Sequence, residues 1–167
     1  MLITISGEVG SGKTFIGKKL ANQLNLHYIC IGEKFKQIAK QKGMSVTEVL
    51  NYLEKNPNQE RKIDKEQKNI QEGILDSRLG FYFTKPNFNI YFKAPLEIRA
   101  KRIAERDNIT LEKAKQKIIR REETETRRYK KIYGVDIRDL KNYDLVIDTE
   151  KFETNKIIKM ILSLIES

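Results

Sequence analysis

The chain has 167 residues, 39% of them apolar, and Lys plus Arg outnumber Asp plus Glu by 33 to 23 for a net charge of +10. That length suits one domain whose core needs neither disulfides nor a structural metal. No apolar run approaches the roughly 20 residues of a membrane span, and a single Cys30 with a single His27 leaves no internal disulfide, no Cys/His zinc cluster and no Cys–His nucleophile pair.

The opening MLITISGEVG runs from apolar residues straight into glycines, without the charged and long apolar regions of a signal peptide, so a cytoplasmic location is expected. Leu2 to Ser6 reads as a strand covered on both faces. Ile16, Leu20, Ala21 and Leu24 recur at helical spacing, and His27 to Ile31 reads as a second strand with a turn at Gly32, completing a βαβ unit. Phe35, Ile38 and Ala39 mark a further helix, and Ser45 followed by Glu48 is a capping box for one starting near Val46. Asn58 to Glu72 is densely charged and predicts a solvated helix leading into the strand-like run Gly73-Ile74-Leu75-Asp76.

Asn89 to Phe92 predicts a strand stopped by Ala94-Pro95, and Leu96 to Arg106 a helix with Pro95 near its first turn. Thr110 reads as the N-cap of a long helix reaching about Ile132. Asp144 to Ile147 predicts a last strand, followed by a helix with Ile157, Ile158, Ile161, Leu164 and Ile165 on its apolar face. Strands alternating with helices predict a single α/β domain over 1–167, a doubly wound parallel sheet of about five strands flanked by helices, with ligands at the carboxyl ends of the strands. His27, Cys30, Tyr129 and Tyr133 are assigned to packing, because none has a catalytic partner in view.

Gly7-Glu8-Val9-Gly10-Ser11-Gly12-Lys13-Thr14 matches G-x-x-x-x-G-K-[ST] at every fixed position, directly after a strand and before a helix. The chemistry accounts for each residue type. Glycines let backbone N–H groups curl around phosphate oxygens, the helix start adds positive potential, Lys13 reaches the β- and γ-phosphates, and the Thr14 hydroxyl ligates Mg²⁺. A P-loop is shared by GTPases, motor ATPases and small-molecule kinases. The chain has no N-K-x-D guanine reader and little room for extra ATPase machinery, which favours a compact phosphotransferase.

Along the long helix, steps of three and four residues give Leu111, Ala114, Ile118, Arg121, Glu125, Arg128 and Ile132, an inward stripe that turns charged halfway. Inward charges are costly without partners, so this face is expected to border a cleft that receives anions, and the guanidinium fork of Arg121 and Arg128 suits phosphate. The alternative is a solvated helix laced with salt bridges. Arg99, Arg102 and Arg106 share one face of the preceding helix and are read as a lid hinge or an adenine-side clamp, with Arg102 assigned to ATP, against the alternative of an ordinary soluble surface. Asp76-Ser77-Arg78 closes a strand where the cleft should lie. There Asp76 is placed to orient Mg²⁺-bound water and Arg78 to contact the acceptor phosphate, unless the segment is an ordinary polar turn.

These motifs, in this order and spacing, resemble the short archaeal-type cytidylate kinases of the nucleoside monophosphate kinase group. The pieces that carry the resemblance, from Met1 to about residue 150, are Gly7 to Thr14, Gly32-Glu33-Lys34-Phe35-Lys36 with Ile38-Ala39, Asp76-Ser77-Arg78-Leu79, Ala94-Pro95-Leu96-Glu97-Ile98-Arg99, Arg121-Glu122 with Glu125 and Arg128-Tyr129, Tyr133-Gly134-Val135-Asp136, and Asp144 to Thr149. The resemblance implies a core, a monophosphate-binding part around 32–72 and a lid within roughly 99–131. It implies transfer from ATP, with Mg²⁺, to CMP or dCMP by a monomer that engages neither nucleic acid nor membrane. It also implies that Arg121 and Arg128 bridge phosphates, that Glu125 approaches the cytosine or holds those arginines, and that Lys36, Asp76 and Arg78 serve the acceptor. The chain departs from the family pattern at Lys36, where Arg is usual, and at Cys30, where Ser is common.

The same architecture acting on AMP, UMP or a shikimate-like acceptor, and more remotely an RNA-associated ATPase, are the alternatives. The segment Lys93 to Lys131 holds 14 Lys/Arg against 7 Asp/Glu, placing much of the excess charge in the proposed lid.

Overall fold

The computed structural model describes residues 1–165. In chain order the elements are β1 (Leu2–Gly7), α1 (Lys13–Leu24), β2 (Tyr28–Cys30), α2 (Ile31–Lys42), α3 (Val46–Lys55), α4 (Pro57–Lys65), β3 (Gly73–Asp76), α5 (Gly80–Phe83), β4 (Phe88–Lys93), α6 (Leu96–Asp107), α7 (Leu111–Tyr133), β5 (Leu145–Asp148) and α8 (Thr154–Ile165). The five strands form one sheet in the order β2-β3-β1-β4-β5, and every pairing is parallel. This is the doubly wound α/β arrangement expected of strands alternating with helices.

Every residue of β1 is buried, because helices cover both faces of the sheet. Ile3, Ile5, Ile74, Ile90 and Phe92 pack on one side against Ile16, Leu20 and Ala21 of α1 and Ile157, Ile158 and Ile161 of α8. Leu2 and Leu75 pack on the other against Ile31, Phe35 and Ala39 of α2 and Val49, Leu50 and Leu53 of α3. The capping box is present: the Ser45 side chain accepts from the Glu48 N–H while Glu48 accepts from the Ser45 N–H. Thr110 likewise caps α7, accepting from the Lys113 N–H.

The structure corrects several expectations. Gly32 does not form a turn. Cys30, extended at φ −117°, is itself the N-cap of α2, so the chain passes from strand into helix at Ile31. His27 precedes β2 and its side chain is exposed instead of packed. The charged stretch 58–72 is not one solvated helix: α4 ends at Lys65, a 3-10 turn spans Glu66–Asn69, and Glu60, Asp64 and Gln67 are buried. Their spacing of four and three puts them on one face, turned inward toward polar partners. On α8 it is Leu162 and Ile165, not the exposed Leu164, that join the core. The single turn α5 lies in a stretch the sequence reading left unassigned. Among the described residues, no helix is long and apolar enough to cross a membrane.

Candidate nucleotide-binding and phosphoryl-transfer site

The loop between β1 and α1 begins at Gly7, with φ +151°, where a Cβ would lie 2.2 Å from the Phe92 carbonyl oxygen of β4. It ends at Gly12, the N-cap of α1, left-handed at φ 86° and offering no side chain to cap the helix. The first N–H groups of α1 therefore face outward at the positive end of the helix, a disposition that receives an anion.

Asp76 at the carboxyl end of β3 and Tyr28 at the start of the neighbouring β2 complete this cradle. Asp76, the last residue of β3, lies with Oδ1 3.2 Å from Lys13 Nζ and accepts a 3.1 Å hydrogen bond from Thr14 Oγ1 at Oδ2. The same Oδ2 accepts a 2.6 Å bond from the Tyr28 hydroxyl at the start of β2. Burial pushes the Lys13 pKa below its ordinary value; Asp76 opposes that, while Arg78 and Arg121 reinforce it. A hydroxyl and a carboxylate held together are hard oxygen donors of the type Mg²⁺ takes when it keeps its waters and binds phosphate, so Thr14 and Asp76 fit that ion.

The opposite wall is built from β3 and α7. Glu125 receives Arg78 Nε at 2.9 Å on one carboxylate oxygen and Arg121 Nε at 3.0 Å on the other. Burial alone would raise the Glu125 pKa, but Arg78, Arg121 and Arg128 outweigh it and hold the group at about 2. Two guanidiniums are thus fixed by one permanently charged carboxylate. The inward register read along the long helix holds for Ala114, Ile118, Glu125, Arg128 and Ile132, while Leu111 and Arg121 are exposed.

Arg128 is fully buried. Its Nε bonds Glu60 at 2.6 Å, its guanidinium lies 4.5 Å from the Tyr129 ring centroid, and its Nη1 has no hydrogen-bond partner among the described residues. One turn along α4, Asp64 accepts from the Tyr133 hydroxyl at 2.6 Å and from Gln67 Nε2 at 3.2 Å. Gln67 in turn accepts from the Ser77 hydroxyl. Lys36 is not brought to this wall; its ammonium pairs with Glu33 at 2.7 Å on the exposed face of α2.

The three arginines of α6 divide. Arg99 is buried, donating to the Ala94 carbonyl (2.8 Å), the Val9 carbonyl (3.1 Å) and Glu122 (2.7 Å). Glu8 lies 3.3 Å from its Nε and accepts from the Ala94 N–H, so Glu8 and Val9 are anchored to β4 and α6. Arg102 donates to the Ser11 carbonyl (3.2 Å) and to the Thr149 hydroxyl (2.9 Å). It stands at the edge of a cavity of about 560 Å³ lined also by Phe15, Lys19, Thr149 and Phe152. Arg106 turns outward to Asp107 at 2.7 Å. The sequence reading missed Tyr28, Arg99's inward turn, Glu60, Asp64 and Phe15. Only the spacing of Glu60, Asp64 and Gln67 carried a signal, that of a polar helix face.

A glycine cradle at the end of the central strand, with an arginine-bearing wall raised across the strand ends, defines a P-loop kinase. The sequence matches the cytidylate kinase-like family over residues 2–151, and the chain belongs to that family. It is 41% identical over 175 residues to a cytidylate kinase of Methanocaldococcus jannaschii, covering 100% of this chain and 98% of that protein. It is 41% identical over 170 residues to a cytidylate kinase of Sulfurisphaera tokodaii, covering 96% of this chain and 93% of that one. Its fold is similar to the crystal structure of shikimate kinase from Bacteroides thetaiotaomicron, with a TM-score of 0.64 at 15% identity over 100% of this chain and 99% of that one.

Proposed function

We propose that this chain transfers the γ-phosphoryl group of ATP to CMP or dCMP, giving ADP and CDP or dCDP. It acts on free nucleotides as a monomer in the cytoplasm. The observation that carries the reading is the placement of Arg78, two residues beyond the Asp76 that pairs with Lys13, together with Arg121 on one clamping carboxylate, Glu125. Cations on both sides of one cleft suit two phosphorylated ligands meeting end to end, and the full-length similarity to curated cytidylate kinases supports the choice of acceptor.

Residues Gly7 to Thr14 hold the donor phosphates, with Lys13 neutralising charge on the transferred group. The cavity beside Arg102 receives the donor base. Thr14, with Asp76 behind it, holds Mg²⁺, which when bound offsets charge on the phosphate oxygens. Arg78 and Arg121 present their guanidiniums to the acceptor phosphate while Glu125 fixes their direction. Arg128 joins them through its unpaired Nη1, and Lys36 reaches the acceptor when α2 moves inward. The acceptor phosphate, with a second pKa of about 6, is already mostly ionised near neutral pH and needs no strong base. Residues 32–72 form the acceptor-binding part, and the stretch of α6 and α7 within about 99–131 the lid that excludes water.

The test is an ADP-release assay with ATP and Mg²⁺ against CMP, dCMP, UMP, AMP and shikimate. Stimulation by CMP or dCMP above the others is expected, and Lys13→Ala removes most of it. No stimulation by CMP or dCMP overturns the reading.

A further inference from the structure

The mechanism above gives no work to Tyr28, yet its hydroxyl makes the shortest contact to Asp76 in the cradle, 2.6 Å against 3.1 Å from Thr14 and 3.2 Å from Lys13. We propose that Tyr28 is a positioning residue for the metal-bound nucleotide. Its hydroxyl holds the Asp76 carboxylate with Oδ2 turned to Thr14 while Oδ1 stays on Lys13. The inference rests on Thr14 and Asp76 serving the metal.

The placement is built into the fold. In the β2–β3 register Cys30 lies beside Asp76 and Tyr28 beside Ile74. Tyr28 therefore shares a sheet face with Asp76 but stands two residues back, about 7 Å of strand rise. A phenol spans that distance where a serine or threonine does not. Its ring lies where α1 has Gly17: a Cβ there would come within 2.9 Å of the Tyr28 ring.

The carboxylate faces a choice. Lys13 pulls on Oδ1, and the two hydroxyls pull on Oδ2. Asp76 and Lys13 already pair at 3.2 Å through Oδ1, and were Oδ2 to swing onto the same ammonium the carboxylate would no longer back Thr14. A second hydroxyl on Oδ2 tilts the balance toward Thr14, since hydrogen bonds to a charged acceptor are among the stronger ones. Removing it leaves Oδ2 with Thr14 alone.

The experiment is a calorimetric titration of ATP in Mg²⁺ and in EDTA, on the wild type and Tyr28→Phe. The phenylalanine keeps the ring in its slot and removes only the donor. In the wild type Mg²⁺ tightens ATP binding. In Tyr28→Phe the metal-free Kd stays within about twofold, while the gain from Mg²⁺ shrinks roughly tenfold. A Tyr28→Phe protein with the wild-type gain, or with both Kd values shifted equally, overturns the proposal and leaves the kinase reading standing. A wild type that binds ATP equally well with and without Mg²⁺ overturns the metal site and this inference with it.

Discussion

The backbone N–H of Val9, inside the phosphate loop, donates a 3.0 Å hydrogen bond to the Glu122 carboxylate of α7. Arg99 closes the same knot, bonding Glu122 and the Val9 carbonyl with one nitrogen. The loop between β1 and α1 and the helix that carries Arg121 are thus tied through one buried guanidinium.

Arg99→Met should therefore be costly. It strips partners from the Ala94 and Val9 carbonyls and leaves Glu8 and Glu122 facing each other, a loss of about 3 kcal/mol by analogy with broken buried pairs. Urea unfolding measures it as a lower midpoint at unchanged slope. A midpoint equal to the wild type would mean that the knot holds nothing together.

Glu60 and Arg128 allow the structural and chemical roles of an arginine to be separated. Glu60→Ala leaves a fully buried guanidinium uncompensated and should cost roughly 3–5 kcal/mol. Replacing both, as Glu60→Leu with Arg128→Met, should recover much of that stability in thermal melts while turnover with CMP stays low. Recovery of turnover together with stability would restrict Arg128 to a packing role.

Acid stability should report Glu125. Its folded pKa of about 2 lies below its ordinary 4.5, so the group stabilises fully above pH 4.5 and the contribution fades as pH falls toward 2. At 1.36 kcal/mol per pKa unit that is about 3 kcal/mol. Unfolding free energy against pH should fall more steeply across that window in the wild type than in Glu125→Gln. Parallel acid limbs for the two proteins would contradict the pairing with Arg78 and Arg121.

Phe15 is 58% exposed at the rim of the cavity beside Arg102. An exposed ring next to a guanidinium suits stacking on a nucleobase, worth about 1–3 kcal/mol per base. Phe15→Ala should raise KM for ATP by at least about fivefold, with kcat and melting temperature nearly unchanged. An unchanged KM would place the base elsewhere.

Much of the fold could be read directly because its signals are local. Gly7 to Thr14 announces itself by spacing, Ser45 and Glu48 by a reciprocal cap, and Ile157, Ile158 and Ile161 by helical period. The inward turn of Glu125 and Arg128 was also legible, since a charged stripe continuing an apolar one has few places to go. What escaped depends on contacts distant in sequence. Glu60 is buried because Arg128 comes from 68 residues away, and the long charged run around it looks solvated until that partner is in place. Arg99 has the same neighbours in sequence as any surface arginine; only the loop folding back against α6 turns it inward. Tyr28 shows no motif at all, its role resting on strand register and on the room that Gly17, without a side chain, leaves for its ring.

The sheet order distributes mechanical stability unevenly. The phosphate loop grows from β1, the middle strand, whose backbone amides can exchange with solvent only when the whole sheet comes apart. Helices α2 to α4, to which we assign the acceptor, hang from β2, a three-residue strand at the sheet's margin. Deuterium uptake should accordingly be slowest in β1 and faster across α2 to α4. The proposed cleft then has one side fixed at the sheet's middle and the other hung from its edge.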